Sequence, residues 1–125
     1  MKVLPKTYKD LIFWKKSFET AKAVITLAKK LPRDLETKII LSQLLRSVMS
    51  IGANIAEGYG RFGVKEFPRY LQVALGSTNE TEYWLLLLKE CYPGFNREID
   101  EIIEKNREVI RMLAASVKTI RNKVK

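Results

Sequence analysis

The chain reads as all-α, an antiparallel up-down-up-down four-helix bundle, on three observations. Apolar residues recur at alternating steps of three and four in four separate blocks, the spacing of one helix face. Proline or glycine closes the first three blocks. No stretch reads as a strand, and each block is long enough to span a small domain.

The first helix is predicted over about 8–31. Leu11, Trp14, Phe18, Ala21, Ile25 and Ala28 form its core stripe, with Val24, Leu27 and Leu31 beside it, and Pro32 ends it. Asp34 caps a second helix over about 35–58, whose core stripe is Leu41, Leu44, Val48, Ile51 and Ile55. Tyr59–Gly63 is the next break, glycine-rich from Gly58 onward. The third helix, about 66–91, carries Phe67, Leu71, Ala74, Thr78, Thr81, Leu85 and Leu88, with Pro68 tolerated in its first turn. Tyr92-Pro93-Gly94 stops it, and Asn96 caps a fourth helix over about 97–122. That helix carries Ile99, Ile103, Ile110, Leu113, Val117 and Ile120, with Asn106 on the same seam. A seam asparagine either fixes register and oligomer state or sits near a wet end. Residues 1–125 thus form one four-helix domain. Second rows, Ile102, Val109 and Met112 on helix four and Tyr70, Val73 and Trp84 on helix three, exceed one core and predict self-association.

Composition narrows the function. Of 125 residues 46% are apolar, which excludes disorder. No run of 18 apolar residues exists, so no membrane span is expected. The N-terminus lacks a signal-like apolar core and Cys91 is the one cysteine, so a cytoplasmic protein is expected. The net charge of +9 is uneven: +7 lies in residues 1–33 and +5 in residues 111–125. Helices one and four are neighbours in an up-down bundle, so a merged basic surface for a polyanion such as RNA is expected. Its candidates are Lys15, Lys16, Lys22, Lys29, Lys30 and Arg33 on the first helix, and Arg111, Lys118, Arg121, Lys123 and Lys125 on the last. Lys15, Lys22 and Lys29 share one face, as do Arg111 and Lys118, so the two rows are expected to line one groove. Aromatic stacking looks minor, because Trp14 and Phe18 fall on the core stripe. The other reading of the charge is solubility alone.

Gln43, Ser47, Ser50, Asn54 and Glu57 make a second, polar stripe on helix two, roughly 110° from its apolar one. It carries short side chains, with Gly52, Ala53 and Ala56 nearby. It is either a ligand or partner surface or a close helix contact. Chemistry is scarce. There is no histidine and no cysteine cluster, so neither the commonest general base nor a zinc site is expected. Gly58-Tyr-Gly-Arg-Phe-Gly spells G-x-G-x-x-G, but after a helix, where a dinucleotide fingerprint needs a strand. Glu57 with Glu80 or Glu82 is the one conceivable carboxylate pair; helix-interface hydrogen bonding is the alternative. A non-catalytic protein with no cofactor and no metal is expected.

Arg46-Ser47, Ser50-Ile51, Asn54-Ile55-Ala56-Glu57-Gly58, Phe67 through Leu71, Gly76-Ser77 and Glu80 together carry a resemblance. With Tyr8 through Trp14 and Leu31-Pro32, they resemble the four-helix-bundle proteins encoded in 23S rRNA intervening sequences. The likeness covers about residues 8–90, and Leu75 stands where that pattern has a basic residue. It implies a bundle that assembles into a ring, a pentamer. It also implies kinship with accessory subunits that bind a reverse transcriptase and its RNA in diversity-generating retroelements. It implies no reaction, and it marks Arg46, Ser50, Asn54, Glu57, Gly58, Gly76, Ser77 and Glu80 as motif residues of structural role.

Overall fold

The computed structural model describes residues 7–60 and 66–124, the side chains of residues 121, 123 and 124 excepted. Four helices form: α1 (Ile12–Ala28), α2 (Leu35–Tyr59), α3 (Phe67–Cys91) and α4 (Asn96–Val124). One-turn 3₁₀ helices, Tyr8–Asp10 and Pro93–Phe95, precede α1 and α4, and no strand occurs among the described residues. Each helix packs on the next, and α1 closes the bundle against α4, the arrangement short connections impose.

The helix ends follow from local chemistry. α1 stops at Ala28, three residues earlier than expected. The last α-type bond is Lys29 N–H to the Ile25 carbonyl at 3.3 Å, and Pro32, with no N–H for the Ala28 carbonyl and a ring that clashes with the preceding turn, keeps the ladder from continuing. Instead Lys30 N–H turns back to the Leu27 carbonyl at 2.9 Å. Asp34 caps α2 as expected: its Oδ1 accepts the Thr37 hydroxyl at 2.6 Å and the Thr37 N–H at 2.9 Å. These two donors hold the Asp34 carboxyl below the usual carboxylate range. The Thr37 proton is committed to Asp34, so the Tyr92 hydroxyl donates to Thr37 Oγ1 and ties the end of α3 to the start of α2. Asn96 does not cap α4. Its own backbone is helical and its Oδ1 is buried without a partner. The preceding 3₁₀ turn, whose chain runs Pro93–Phe95 directly into α4, leaves no extended residue to cap from. The glycine-rich break lies mostly in residues 61–65, outside the described residues.

The core matches the expected stripes on α2, α3 and α4: Leu44, Val48, Ile51, Ile55, Leu71, Leu85, Leu88, Ile99 and Leu113 are all fully buried. Among the described residues, α2 is the one helix long and apolar enough to cross a membrane, and its apolar stripe forms part of this core. Asn106 is fully buried, well away from any wet end, and its Nδ2 donates to the Thr78 carbonyl of α3 at 2.9 Å.

Two expectations are corrected. On α1 the buried face is Ser17, Thr20, Val24 and Leu27, while Phe18 is 49% exposed. The reason is that Ser17 and Thr20 satisfy their hydroxyls inside the helix, on the Trp14 and Lys16 carbonyls. They can therefore sit in the core at little cost, and α1 turns by about one row. On α4, Ile102 and Val109 are not a spare row; both are core. The exposed apolar side chains lie elsewhere, notably Phe18, Ile25, Met49, Val73, Tyr83 and Leu86.

Candidate nucleic-acid interface

The polar stripe of α2 faces α3 and is a helix contact. Ser47 Oγ meets Thr81 Oγ1 at 2.9 Å and Ser50 Oγ meets Ser77 Oγ at 2.9 Å. Asn54 Nδ2 stays on its own helix, donating to the Ser50 carbonyl and hydroxyl at 2.8 and 2.9 Å. It reaches α3 only through Ser50. Arg46 pairs with Glu80, which also accepts the Trp84 indole N–H at 3.1 Å. Short side chains suit this contact because a hydroxyl pair closes only when the helices lie near each other.

Gly58 belongs to the same contact and not to the turn. It is buried in the last turn of α2, and a Cβ there would strike Tyr70 Cβ and lie 2.9 Å from its Cγ. Gly76 sits differently: a Cβ would meet nothing within 4 Å. It lies exposed on α3 between the exposed Val73 and Tyr83.

The carboxylates do not assemble. Glu80 is tied to Arg46, and Glu82 pairs with Arg107 of α4 at 2.7 Å. Glu57 is exposed on the last turns of α2. No cluster of three or more potential metal-binding side chains occurs among the described residues. Cys91 is exposed at the end of α3.

The basic residues separate into two groups. On the α4 side of α1, Lys16 pairs with Glu108 at 3.2 Å and Lys30 with Glu98 at 3.0 Å. The α1–α4 seam is therefore sewn by opposite charges, and among the described residues no shared basic groove forms there. Such exposed pairs are worth about 0–1 kcal/mol each; their importance is that these lysines are occupied. On α4, Arg111 turns back to Glu104 at 3.4 Å and Lys118 is exposed. The side chains of Arg121, Lys123 and Lys125 lie outside the described residues.

The second group lines the α1–α2 side. Lys15, Lys29 and Arg33 are exposed, and Lys22 is exposed with Glu19 at 3.5 Å and the Phe18 ring at 5.9 Å. Between α1 and α2 runs an apolar groove of two joined cavities, about 400 and 500 Å³, that share Ile25 and Met49. Phe18, Met49 and Ala53 line the first with Lys22. Leu41, Leu45 and Pro32 line the second with Lys29, Arg33 and Lys38. Every charged residue lining either cavity is a cation. The first cavity also holds a ring cluster. Trp14 and Phe18 have centroids 5.0 Å apart at 31°, and Tyr8 meets Trp14 edge-on at 5.1 Å. Phe18, Trp14 and Met49 were not legible as site residues. Ser17 and Thr20, spaced with Val24, Leu27 and Leu31, were the signal that the core face lay one row over.

Residues 9–115 match the model of the 23S rRNA-intervening sequence protein family. The chain is similar to a solved structure from Bacteroides thetaiotaomicron VPI-5482, described as a protein with unknown function from the S23 ribosomal protein family. The two share 33% identity over 86% of this chain and 99% of the other, with a TM-score of 0.78. No curated relative matches.

Proposed function

Because the chain belongs to the 23S rRNA-intervening sequence protein family, we propose that it is a non-catalytic, basic, homo-oligomeric module that binds RNA or a nucleoprotein complex. A reverse transcriptase with its RNA is one such complex, supported by the family resemblance. The observation that carries the reading is the cationic edge of the α1–α2 groove, Lys22, Lys29, Arg33 and Lys38, with exposed Lys15 one heptad before Lys22 on the same helix face. The acids of α4 that would offset it, Glu98, Asp100, Glu104 and Glu108, are paired with other bases. Lys15, Lys22 and Lys29 follow one another at intervals of seven, about 10.5 Å along the helix. That row suits repeated phosphate contacts, which position a nucleic acid without reading its bases.

Self-association finds support on α3. Val73 and Tyr83 are half or more exposed, and between them Gly76 interrupts a helix with nothing of its own chain nearby. A mid-helix glycine costs about 1 kcal/mol against alanine, and close approach by a second copy would account for it. A ring, a pentamer, is the assembly the resemblance supports.

Binding of a labelled RNA measured against salt tests the reading. Affinity should fall with a log–log slope of several units, and reversing Lys22 and Lys29 to Glu should abolish binding with helicity intact. RNA that fails to bind at low ionic strength would replace this reading with a protein-interaction scaffold. Light scattering tests the assembly, which should strengthen with salt because protomers of +9 repel. A monomer-sized particle at micromolar concentration would overturn the ring.

A further inference from the structure

We infer that the Trp14–Phe18–Met49 end of the α1–α2 groove receives an unstacked base, so that the RNA bound here is single-stranded. The inference rests on the phosphate-binding reading of the adjacent lysines and adds what they hold. A row of cations alone accepts a duplex or a single strand. An exposed ring beside that row discriminates, because only an unpaired base can leave its strand and stack on a side chain.

The geometry suits this. The Phe18 ring is half exposed and its inner neighbour is the Trp14 ring, tilted 31° and 5.0 Å away. The pair forms a braced platform, and Met49, half exposed, stands across the groove on α2. The cavity of about 400 Å³ between them is in the size range of small-ligand sites. Its α2 wall is low, because Gly52, Ala53 and Ala56 carry little or no side chain. Lys22 Nζ lies over the Phe18 ring, 5.9 Å from its centroid; an incoming base would displace this flexible, exposed ammonium from the ring face toward its own phosphate. Few polar groups line the cavity: Ser17 already donates to the Trp14 carbonyl. Recognition would therefore be by stacking and largely indifferent to base identity.

Charge argues against a second copy as the occupant. A matching face would have to present acids to Lys22, Lys29 and Arg33. Four of the five α4 acids, Glu98, Asp100, Glu104 and Glu108, are tied within their own chain, as are Glu80 and Glu82, and Glu101 alone does not match three cations.

The test compares two probes by fluorescence anisotropy at one low salt concentration. One is an unstructured RNA of about twelve nucleotides, within the span of single-strand sites; the other is the same strand annealed to its complement. The single strand should bind the unaltered protein roughly tenfold or more tightly than the duplex. Phe18→Ala should weaken the single strand about tenfold and leave the duplex unchanged, and Phe18→Tyr, which keeps a ring, should retain the preference. Phe18 is half exposed, so the variants should keep wild-type helicity. Equal loss on both probes, or none on either, would overturn the base pocket; sensitivity of both to Lys22→Glu with Lys29→Glu would then leave the phosphate reading standing. Failure of the unaltered protein to bind either probe would overturn both. An altered particle size in Phe18→Ala would mean that a second copy covers the groove, and would also overturn the inference.

Discussion

Gly58→Ala is the sharpest test of how this bundle is held together. In an ordinary helix the change is favourable by about 1 kcal/mol. Here the added methyl carbon would lie 2.9 Å from Tyr70 Cγ, closer still to Tyr70 Cβ, and 3.2 Å from Phe67 Cδ1. Carbon atoms prefer roughly 3.5–4.0 Å, so α3 must retreat by about an ångström. A Cβ is fixed to its backbone and cannot swing aside, unlike the end of a flexible side chain. Overpacking of this kind costs about 1–3 kcal/mol. The retreat also strains the Ser50–Ser77 and Ser47–Thr81 bonds, each 2.9 Å and each worth about 1 kcal/mol net. The sum, less the propensity gain, is a loss of about 2 kcal/mol, or roughly 6–10 °C in Tm for a chain of this size. Two internal controls share the chemistry. Gly76→Ala meets open space and should raise the stability of the isolated protomer by about 0.5–1 kcal/mol. Gly52→Ala meets Ser17 Oγ at 3.2 Å, a milder contact that needs a shift of only a few tenths of an ångström and offsets the propensity gain, and should be near neutral. Urea unfolding followed by circular dichroism, repeated at several protein concentrations to separate folding from assembly, reads all three. Gly58→Ala as stable as the unaltered chain would refute the close-approach argument.

Asn106→Leu should raise the urea midpoint by the equivalent of about 1–2 kcal/mol, because it removes an amide whose Oδ1 is buried without a partner; a lower midpoint would show that its bond to Thr78 outweighs that cost. Val48→Asp should cost several kcal/mol, since it places an unpaired charge at a fully enclosed point of the core; a cooperative transition at the wild-type midpoint would contradict the placement of that seam. Asp34 links folding to pH. Its folded pKa is lowered, so its stabilisation is complete above the unfolded carboxylate value of about 3.9. It fades as pH falls through the lower folded value. The Tm gap between the unaltered protein and Asp34→Ala should therefore close in acid, and a gap constant down to pH 2 would exclude the ionised cap.

Helix number, order and most core faces were legible in the sequence because heptad-like spacing survives wherever large aliphatics face inward. Val48, Ile51, Leu85 and Leu113 needed nothing more. The reading failed where polarity and burial part company. Ser17 and Thr20 are core residues because their hydroxyls close on their own helix, which hydropathy cannot register. For the same reason the apolar spacing places Phe18 and Ile25 on the core stripe, although both are exposed. Gly58 was read as turn punctuation, although its role is set by Tyr70, a residue of another helix. The basic residues were found but not their grouping, because whether Lys16 and Lys30 are free depends on Glu108 and Glu98 across a seam.

These misreadings have one physical origin, and it bears on function. The chain spends core positions on hydroxyls, Ser17, Thr20, Ser47, Thr78 and Thr81, all essentially buried. It leaves Phe18, Ile25 and Met49 between about one-third and one-half exposed. Full burial of such side chains is worth about 1.5–3 kcal/mol each, so a protomer arranged for its own stability would exchange the two sets. Two of those hydroxyls gain a fixed register: the Ser47–Thr81 bridge, with the neighbouring Ser50–Ser77 bridge, sets the height of α2 against α3. The displaced apolar residues gather in one groove, next to the row of lysines that the chain's own acids leave mostly unmatched. Solubility alone would scatter those cations and would not require an apolar floor between them. A ligand that is apolar on its face and anionic along its backbone satisfies both halves of the arrangement, and an unpaired nucleic-acid strand has that composition.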